Sequence, residues 1–184
     1  FYAIPSMERS RSGRTRIMGF PPIGIMSLSS VLKEAGHECV MFDQANPDTP
    51  DDVILAEMRR RKPAVVGLSF LSTTSYPYAK ILARQIRDAD TSVKIAFGGV
   101  FVSLNSTQVK AQCPEVDFVC RGDGEDLILD LLDHLDDPER VAGVVWADED
   151  GQVRQNPSRP IPRDLDQYPF PDRESLPLDF IESM

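Results

Sequence analysis

The feature that most constrains this fold is a regular alternation of short apolar runs with amphipathic helical stretches. The runs are rich in β-branched residues, and the stretches between them repeat apolar residues at helical spacing, as in Ile81, Leu82 and Ile86. This alternation is typical of a parallel sheet covered by helices on both faces. We therefore predict an α/β fold of flavodoxin-like (Rossmann-like) type, a doubly wound parallel sheet of five strands in the order 2-1-3-4-5.

The predicted elements divide the chain into a folded domain and a tail. The strands are predicted at residues 1–4, 38–43, 64–70, 93–99 and 116–120, and the helices at 25–35, 50–61, 78–89 and 125–135, with a weaker, short candidate at 103–112. Residues 141–155 predict a small β-hairpin that turns at Asp150 and Gly151. Prolines then recur, so we predict a folded domain over 1–155 and an extended, Pro-rich linker over 156–184.

The composition argues against several kinds of partner. The net charge of −9 disfavours nucleic acid, because phosphate binding needs clustered Lys and Arg. No apolar stretch approaches the roughly 20 residues that span a bilayer, and no signal peptide is evident, so we expect a cytoplasmic protein without a membrane span. The three cysteines, Cys39, Cys113 and Cys120, have no CxxC spacing and indicate neither disulfides nor a zinc site.

The loops after the predicted strands contain the candidate site residues. In an open parallel sheet, ligands bind beyond the carboxyl ends of the strands, where the strand order reverses. The loops that begin at Pro5 and Leu71 should therefore flank the crevice. The third strand ends in five hydroxyl residues, although a helix cap would explain one of them: Ser69, Ser72, Thr73, Thr74 and Ser75.

Glycines follow the next two strands. Gly98 and Gly99 end the fourth strand, where either a tight turn or the close approach of a ligand would require them. Gly122 and Gly124 precede a helix and could offer amides to an anion, with Asp123 or Glu125 as acceptors of a ribose hydroxyl.

Other nucleotide-binding patterns do not match. A dinucleotide site needs GxGxxG after the first strand, where this chain has PSMERSRSG, and a P-loop needs GK followed by Ser or Thr. A phosphoacceptor receiver domain would place a lone Asp after the third strand, where this chain has hydroxyls.

Taken in order, four blocks resemble the cobalamin-binding domain of cobalamin-dependent radical S-adenosylmethionine enzymes. They are PPIGIMSLSSVLKEAGHECVMFD, KPAVVGLSFLSTTS, KIAFGGVFVS and VDFVCRGDGED, and the closing DLDQYPFPDR resembles the stretch that leads into the radical domain. Within that family the chain is most similar to the anaerobic magnesium-protoporphyrin monomethyl ester cyclase type, a group that also includes methyltransferases.

The resemblance implies that residues 1–155 form a cobalamin-binding domain, and it also implies a set of cofactor contacts. Cobalamin has a broad corrin and a nucleotide tail, and the small residues Ser69, Gly98 and Gly99 would form a slot for the tail. The residues expected to contact the cofactor are Phe20, Pro21, Ser69, Leu71, Ser72, Thr73, Thr74, Gly98, Gly99, Val100, Gly122, Asp123, Gly124 and Glu125.

The resemblance also implies how cobalt is coordinated. The methionine synthase and mutase type of domain supplies a His from a DxHxxG motif, which this chain lacks. Its two histidines, His37 and His134, are predicted near helix ends at the opposite edge of the sheet. We therefore expect base-off cobalamin without a His ligand, its lower face covered by Leu71 or by residues such as Met18 and Phe20.

Radical chemistry requires a further domain. The cysteines are too scattered for a CxxxCxxC cluster motif, so we expect S-adenosylmethionine and the iron-sulfur cluster to bind a radical domain that follows Met184 in a larger chain. The fragment, which begins at Phe1, would then bind cobalamin without turnover. A stand-alone cobalamin carrier or sensor, and a flavin- or nucleotide-binding domain, remain alternatives.

Overall fold

The computed structural model describes residues 2–4, 21–44 and 49–176. The helices in this part of the chain are α1 (Ile23–Glu34), α2 (Asp51–Arg61), α3 (Tyr76–Ala89), α4 (Val100–Gln112) and α5 (Glu125–Asp133). The strands are β1 (Tyr2–Ile4), β2 (Phe42–Asp43), β3 (Val65–Phe70), β4 (Lys94–Gly98), β5 (Phe118–Cys120), β6 (Val144–Ala147) and β7 (Val153–Gln155). A 3-10 turn, Pro138–Arg140, precedes β6. None of the described helices is long and apolar enough to cross a membrane.

The strands form one sheet in the order β2-β1-β3-β4-β5-β6-β7. Strands β1 to β5 are parallel, which confirms the predicted fold class and the order 2-1-3-4-5. The predicted hairpin is present as β6 and β7. Because β6 pairs antiparallel with β5, the hairpin extends the main sheet.

Most predicted helix and strand boundaries differ from the structure by two residues or fewer, and the starts of α4 and β2 differ by more. Helix α4 begins at Val100 instead of residue 103, because Gly99 adopts a φ of 104° that turns the chain directly from β4 into the helix. A kink at Asn105 interrupts α4, and the Asn105 side chain donates a hydrogen bond to the Phe101 carbonyl (2.8 Å). Strand β2 is limited to Phe42–Asp43, since only these residues pair with β1.

The two faces of the sheet carry side chains of different size. Helices α2, α3 and α4 cover a face packed with large buried residues, among them Leu68, Phe70 and Phe97. The other face, under α1 and α5, presents small residues near the carboxyl ends of the strands. Here Gly67 lies beside Ala96, and Ser69 beside Gly98, in the register of β3 and β4. Side chains alternate between faces along a strand, so the two sets come from the same strands.

The described part of the Pro-rich tail forms neither helix nor strand, and residues 156–176 lie against the domain. Asn156 is buried, and its amide donates to the carbonyls of Pro138 (2.6 Å) and Val141 (2.8 Å). Its own carbonyl accepts a hydrogen bond from Arg121, which follows β5. Further along, Arg159 forms an ion pair with Asp130 of α5.

The end of the described tail packs on α1. The Asp172 carboxylate accepts hydrogen bonds from the buried Ser29 hydroxyl (2.7 Å) and the Lys33 ammonium (2.6 Å). The Asp172 amide donates to the Met26 carbonyl (3.0 Å). Leu176, 4% exposed, is buried with Ile25 and Met26 of the same helix. These contacts anchor the tail to the domain.

Candidate cofactor site

A cavity of about 230 Å³ opens at the carboxyl edge of the sheet, on the face that α1 and α5 cover. Its floor is formed by the small residues at the ends of β3, β4 and β5, and its walls by the first turns of the two helices. Because the floor carries almost no side chains, the helices stand over space that larger residues would have filled. The cavity is therefore a consequence of glycine, alanine and serine at this end of the strands.

Seven of the fourteen predicted contact residues meet at this cavity, and the other six described ones do not. Those that line it are Ser69, Gly98, Gly99, Gly122, Asp123, Gly124 and Glu125. Those described elsewhere are Pro21, Leu71, Ser72, Thr73, Thr74 and Val100. Phe20, like Met18, lies outside the described residues.

Gly98 and Gly99 have different structural roles. A Cβ atom built on Gly98 would meet no atom within 4 Å, so Gly98 borders open space in the cavity. A Cβ on Gly99 would lie 2.3 Å from the Phe70 carbonyl oxygen, and the φ of Gly99 is 104°. The backbone itself therefore requires glycine at position 99, whereas at 98 glycine leaves room for a ligand.

Ser103, in the first turn of α4, links the two glycine loops. Its hydroxyl accepts a hydrogen bond from the Gly122 amide (3.0 Å) and donates one to the Gly99 carbonyl (3.1 Å). The Gly122 amide, which the sequence suggested as an anion donor, is thus directed to Ser103. Sequence inspection missed this residue because a Ser early in a helix usually satisfies only its own helix.

The hydroxyl loop after β3 is organised by its own members. The Ser72 hydroxyl shares hydrogen bonds with Thr74 (2.8 Å) and with the buried Ser75 (3.1 Å). Ser75 holds the N-cap position of α3 but makes no side-chain capping bond to it.

Apolar side chains are exposed beside the cavity, at the same edge of the sheet. Leu71, directly after β3, is 67% exposed, and Val100, the first residue of α4, is 59% exposed. Leu104, one turn further along α4, is 80% exposed. We call Leu71, Val100 and Leu104 the apolar rim. Because Leu71 follows β3 and Val100 begins the helix that follows β4, the rim lies at the carboxyl edge of the sheet, where the cavity also opens.

The histidines and cysteines supply no metal centre in the described residues. His37 follows α1, and His134 ends α5, where its ring contacts the Asp130 carbonyl (2.9 Å). The cavity is lined by the opposite end of α5, about 14 Å away at the rise of an α-helix. Cys120 lines the cavity, and burial raises the pKa of its thiol to about 12, so it is neutral at pH 7.

Several lining residues were not predicted. Gly67 and Ala96 share the floor because they lie two positions before Ser69 and Gly98, on the same face of their strands. The strand period would have identified them. Leu28, Leu127 and Ile128 close the walls, and their apolar character gave no signal that distinguished them from core residues.

The model of the B12 binding domain family matches residues 17–132 of this chain. The chain belongs to the B12-binding domain family. The matched region includes β3, β4, β5 and the helices that enclose the cavity, so the family assignment and the geometry concern the same part of the molecule. The predicted family and its cofactor, cobalamin, are confirmed.

Relatives of this B12-binding domain include longer proteins. An uncharacterized methyltransferase of Pyrococcus horikoshii is 29% identical over 175 residues, which are 92% of this chain and 38% of the relative. An anaerobic magnesium-protoporphyrin IX monomethyl ester cyclase of Rubrivivax gelatinosus is 28% identical over 164 residues, 85% of this chain and 29% of the relative. The chain thus spans about a third of the length of these proteins.

Solved structures share the fold. The radical S-adenosylmethionine methyltransferase TsrM of Kitasatospora setae superposes with a TM-score of 0.70 at 16% identity, covering 85% of this chain and 29% of that one. The cobalamin-dependent S-adenosylmethionine radical enzyme OxsB, solved with aqua-cobalamin and S-adenosylmethionine, gives a TM-score of 0.67 at 23% identity, covering 83% of this chain and 21% of that one.

Proposed function

We propose that this B12-binding domain holds cobalamin base-off, with the nucleotide tail in the cavity under α1 and α5 and no His ligand to cobalt. The observation that carries the proposal is the open space at Gly98, where a Cβ would meet nothing within 4 Å. A displaced tail needs a slot without obstructing side chains at the carboxyl edge of the sheet, and the floor of this cavity has that character.

The apolar rim supports the position of the corrin. Leu71, Val100 and Leu104 are exposed to solvent at 59–80%, and large apolar side chains grouped on a surface commonly mark a binding site. A corrin that rests on the rim would cover them, with Leu71 facing cobalt. The hydroxyls of Ser72, Thr73 and Thr74 follow Leu71 in the same loop and could bind the peripheral amides of the ring.

The distance between His134 and the cavity supports the absence of a His ligand. His134 ends α5, whereas Glu125 at the start of the same helix lines the cavity. An imidazole there cannot reach a cobalt atom at the carboxyl edge without displacing the helix. When bound, cobalamin would supply a cobalt centre able to take up and release an alkyl group, and an apolar lower neighbour would favour its low-valent forms.

The parent protein is proposed to be a cobalamin-dependent radical S-adenosylmethionine enzyme, either a methyltransferase or an oxidative cyclase of tetrapyrroles. The relatives carry those two names, and this chain corresponds to 38% and 29% of their length. A radical domain that binds S-adenosylmethionine and an iron-sulfur cluster would supply the remaining machinery. Residues 156–184 would then lead from the B12-binding domain into it.

The test is retention of a corrinoid by the purified chain. Protein mixed with hydroxocobalamin and desalted should retain corrin absorption bands at base-off positions, and electron paramagnetic resonance of the Co(II) form should show no nitrogen hyperfine splitting. His37→Ala and His134→Ala should give the same spectra. A colourless protein that takes up flavin, or a nitrogen signal that either substitution removes, would overturn the proposal.

A further inference from the structure

We propose that the cavity selects the lower base of the corrinoid, and that it accepts an apolar benzimidazole in preference to a purine. This inference rests on the proposed function and adds the chemical class of the tail. Natural corrinoids differ in this base, so the lining of the slot decides which of them the domain can hold.

The inner end of the cavity is apolar. Leu127, Ile128 and Ala96 are 1%, 3% and 4% exposed, and each lines the cavity. Leu28 of α1 also lines the cavity, and its side chain would contact a Cβ built on Gly124. These groups can cover an aromatic ring but cannot hydrogen-bond to it.

Hydrogen bonds between strands engage much of the backbone of the floor. Gly67 pairs with Ala96 and Ser69 with Gly98 in the ladder between β3 and β4, and Ala96 pairs with Phe118 of β5. An aromatic ring on this floor would therefore lie over backbone groups that are mostly hydrogen-bonded already.

Charged side chains occur only in the outer part of the described cavity. Asp123 is exposed and Glu125 half-exposed, so their carboxylates could accept hydrogen bonds from the ribose hydroxyls of a nucleotide tail near solvent. Ser69 is half-buried and supplies the single hydroxyl among the side chains that line the described cavity. The Cys120 thiol is a weak donor.

The two base classes make different demands on such a lining. A benzimidazole that has left cobalt carries one ring nitrogen that needs a donor, and Ser69 can provide it. A purine carries additional ring nitrogens and, in adenine, an exocyclic amine. Each of these would lose its hydrogen bonds to water on entering the apolar end, which is unfavourable. The purine form should therefore bind at least about tenfold more weakly, the change that about 1.4 kcal/mol produces.

The experiment compares three ligands on the native chain by spectroscopic titration and competition. These are cobalamin, its analogue with an adenine lower base, and cobinamide, which lacks the nucleotide tail. The expected order is cobalamin first, at least about tenfold tighter than the adenine form, with cobinamide weaker than cobalamin.

The outcomes separate this inference from the function on which it rests. Equal binding of the two complete corrinoids, both tighter than cobinamide, would overturn the selectivity and leave the tail in the slot. Cobinamide that binds as tightly as cobalamin would overturn the inference by excluding the tail from the cavity. Binding of none of the three would overturn the proposed function itself.

A pair of cysteine variants tests the mechanism of selection. Cys120→Ser adds a hydroxyl inside the cavity and should reduce the preference for cobalamin over the adenine form by several-fold. Cys113→Ser makes the same chemical change in the buried core on the opposite face of the sheet, and the ratio should be unchanged. A ratio that Cys120→Ser leaves unaltered, in protein that binds cobalamin, would contradict selection by the lining.

Discussion

Replacing Gly98 by Leu should abolish cobalamin binding without unfolding the domain. A Cβ at this position would meet no atom within 4 Å, so the new side chain can enter the cavity without displacing its neighbours. Gly98 ends β4, and replacing a glycine in a strand stabilises the folded state by about 0.5–1 kcal/mol. For a domain of this size, that corresponds to an unchanged or slightly raised melting temperature, by about 1–4 °C.

The Gly98→Leu substitution should instead weaken the binding of the ligand. A leucine would occupy a large part of a cavity of about 230 Å³, and a planar base could not share the remaining space. We expect an affinity loss of at least about 100-fold, equivalent to about 2.7 kcal/mol, measured by titration of the visible spectrum beside thermal denaturation. Gly98→Ala adds one methyl group and should give an intermediate loss.

Gly99→Ala is the matched control at the neighbouring residue. Its φ of 104° and the 2.3 Å approach to the Phe70 oxygen make even one methyl group costly, at about 2–3 kcal/mol. The melting temperature should fall by about 4–12 °C. If Gly98→Leu remains folded and binds cobalamin as tightly as the native chain, the cavity does not hold the tail. If the leucine variant unfolds while Gly99→Ala does not, the geometric distinction between the two glycines is wrong.

Two further predictions concern contacts that frame the cavity. Ser103→Ala removes both hydrogen bonds between the glycine loops. It should weaken cobalamin binding several-fold and lower the free energy of unfolding by about 1 kcal/mol, whereas Ser103→Thr should keep the native affinity. Titration curves that Ser103→Ala leaves unaltered would show that binding does not need this connection between the loops. Burial would raise the pKa of Asp172, but hydrogen bonds from Lys33, Ser29 and Ser175 hold this pKa below its usual value. The carboxylate therefore stabilises the fold above the unfolded-state pKa of about 3.9. The stabilisation is lost as the pH falls through the folded-state pKa. Asp172→Asn should therefore lower the melting temperature at pH 7 by about 2–6 °C, and the difference should shrink as the pH falls below about 4; a difference that is constant with pH would contradict the ion-pair explanation.

The fold was predictable because the local sequence of the main strands is distinctive. Residues 64–70 and 93–99 are short β-branched runs between amphipathic helices, and a parallel topology follows from that alternation. The position of Ser69 and Gly98 at one edge then follows from topology alone, since parallel strands end on the same side. Their contribution to one cavity needed only the register of β3 and β4.

The start of α4 and the docking of the tail were not predictable in this way. Val100, Phe101 and Val102 continue a β-branched and aromatic run, so local propensity favours strand where the φ of Gly99 imposes a turn. In the tail, frequent prolines correctly exclude helix and sheet. They do not reveal that Asp172 finds a buried hydroxyl and a lysine on a helix about 140 residues earlier.

The tail contacts bear directly on the cavity. Asp172 and Leu176 hold α1, Arg159 and Tyr168 hold α5, and these two helices are the walls that stand over the glycine floor. A wall over open space lacks the packing that fixes the helices on the opposite face, where Phe70 and Phe97 interdigitate with their neighbours. Contacts on the outer side of α1 and α5 therefore substitute for contacts that the cavity removes from the inner side. Residues 156–176 are therefore part of what holds the two walls of the cavity in place.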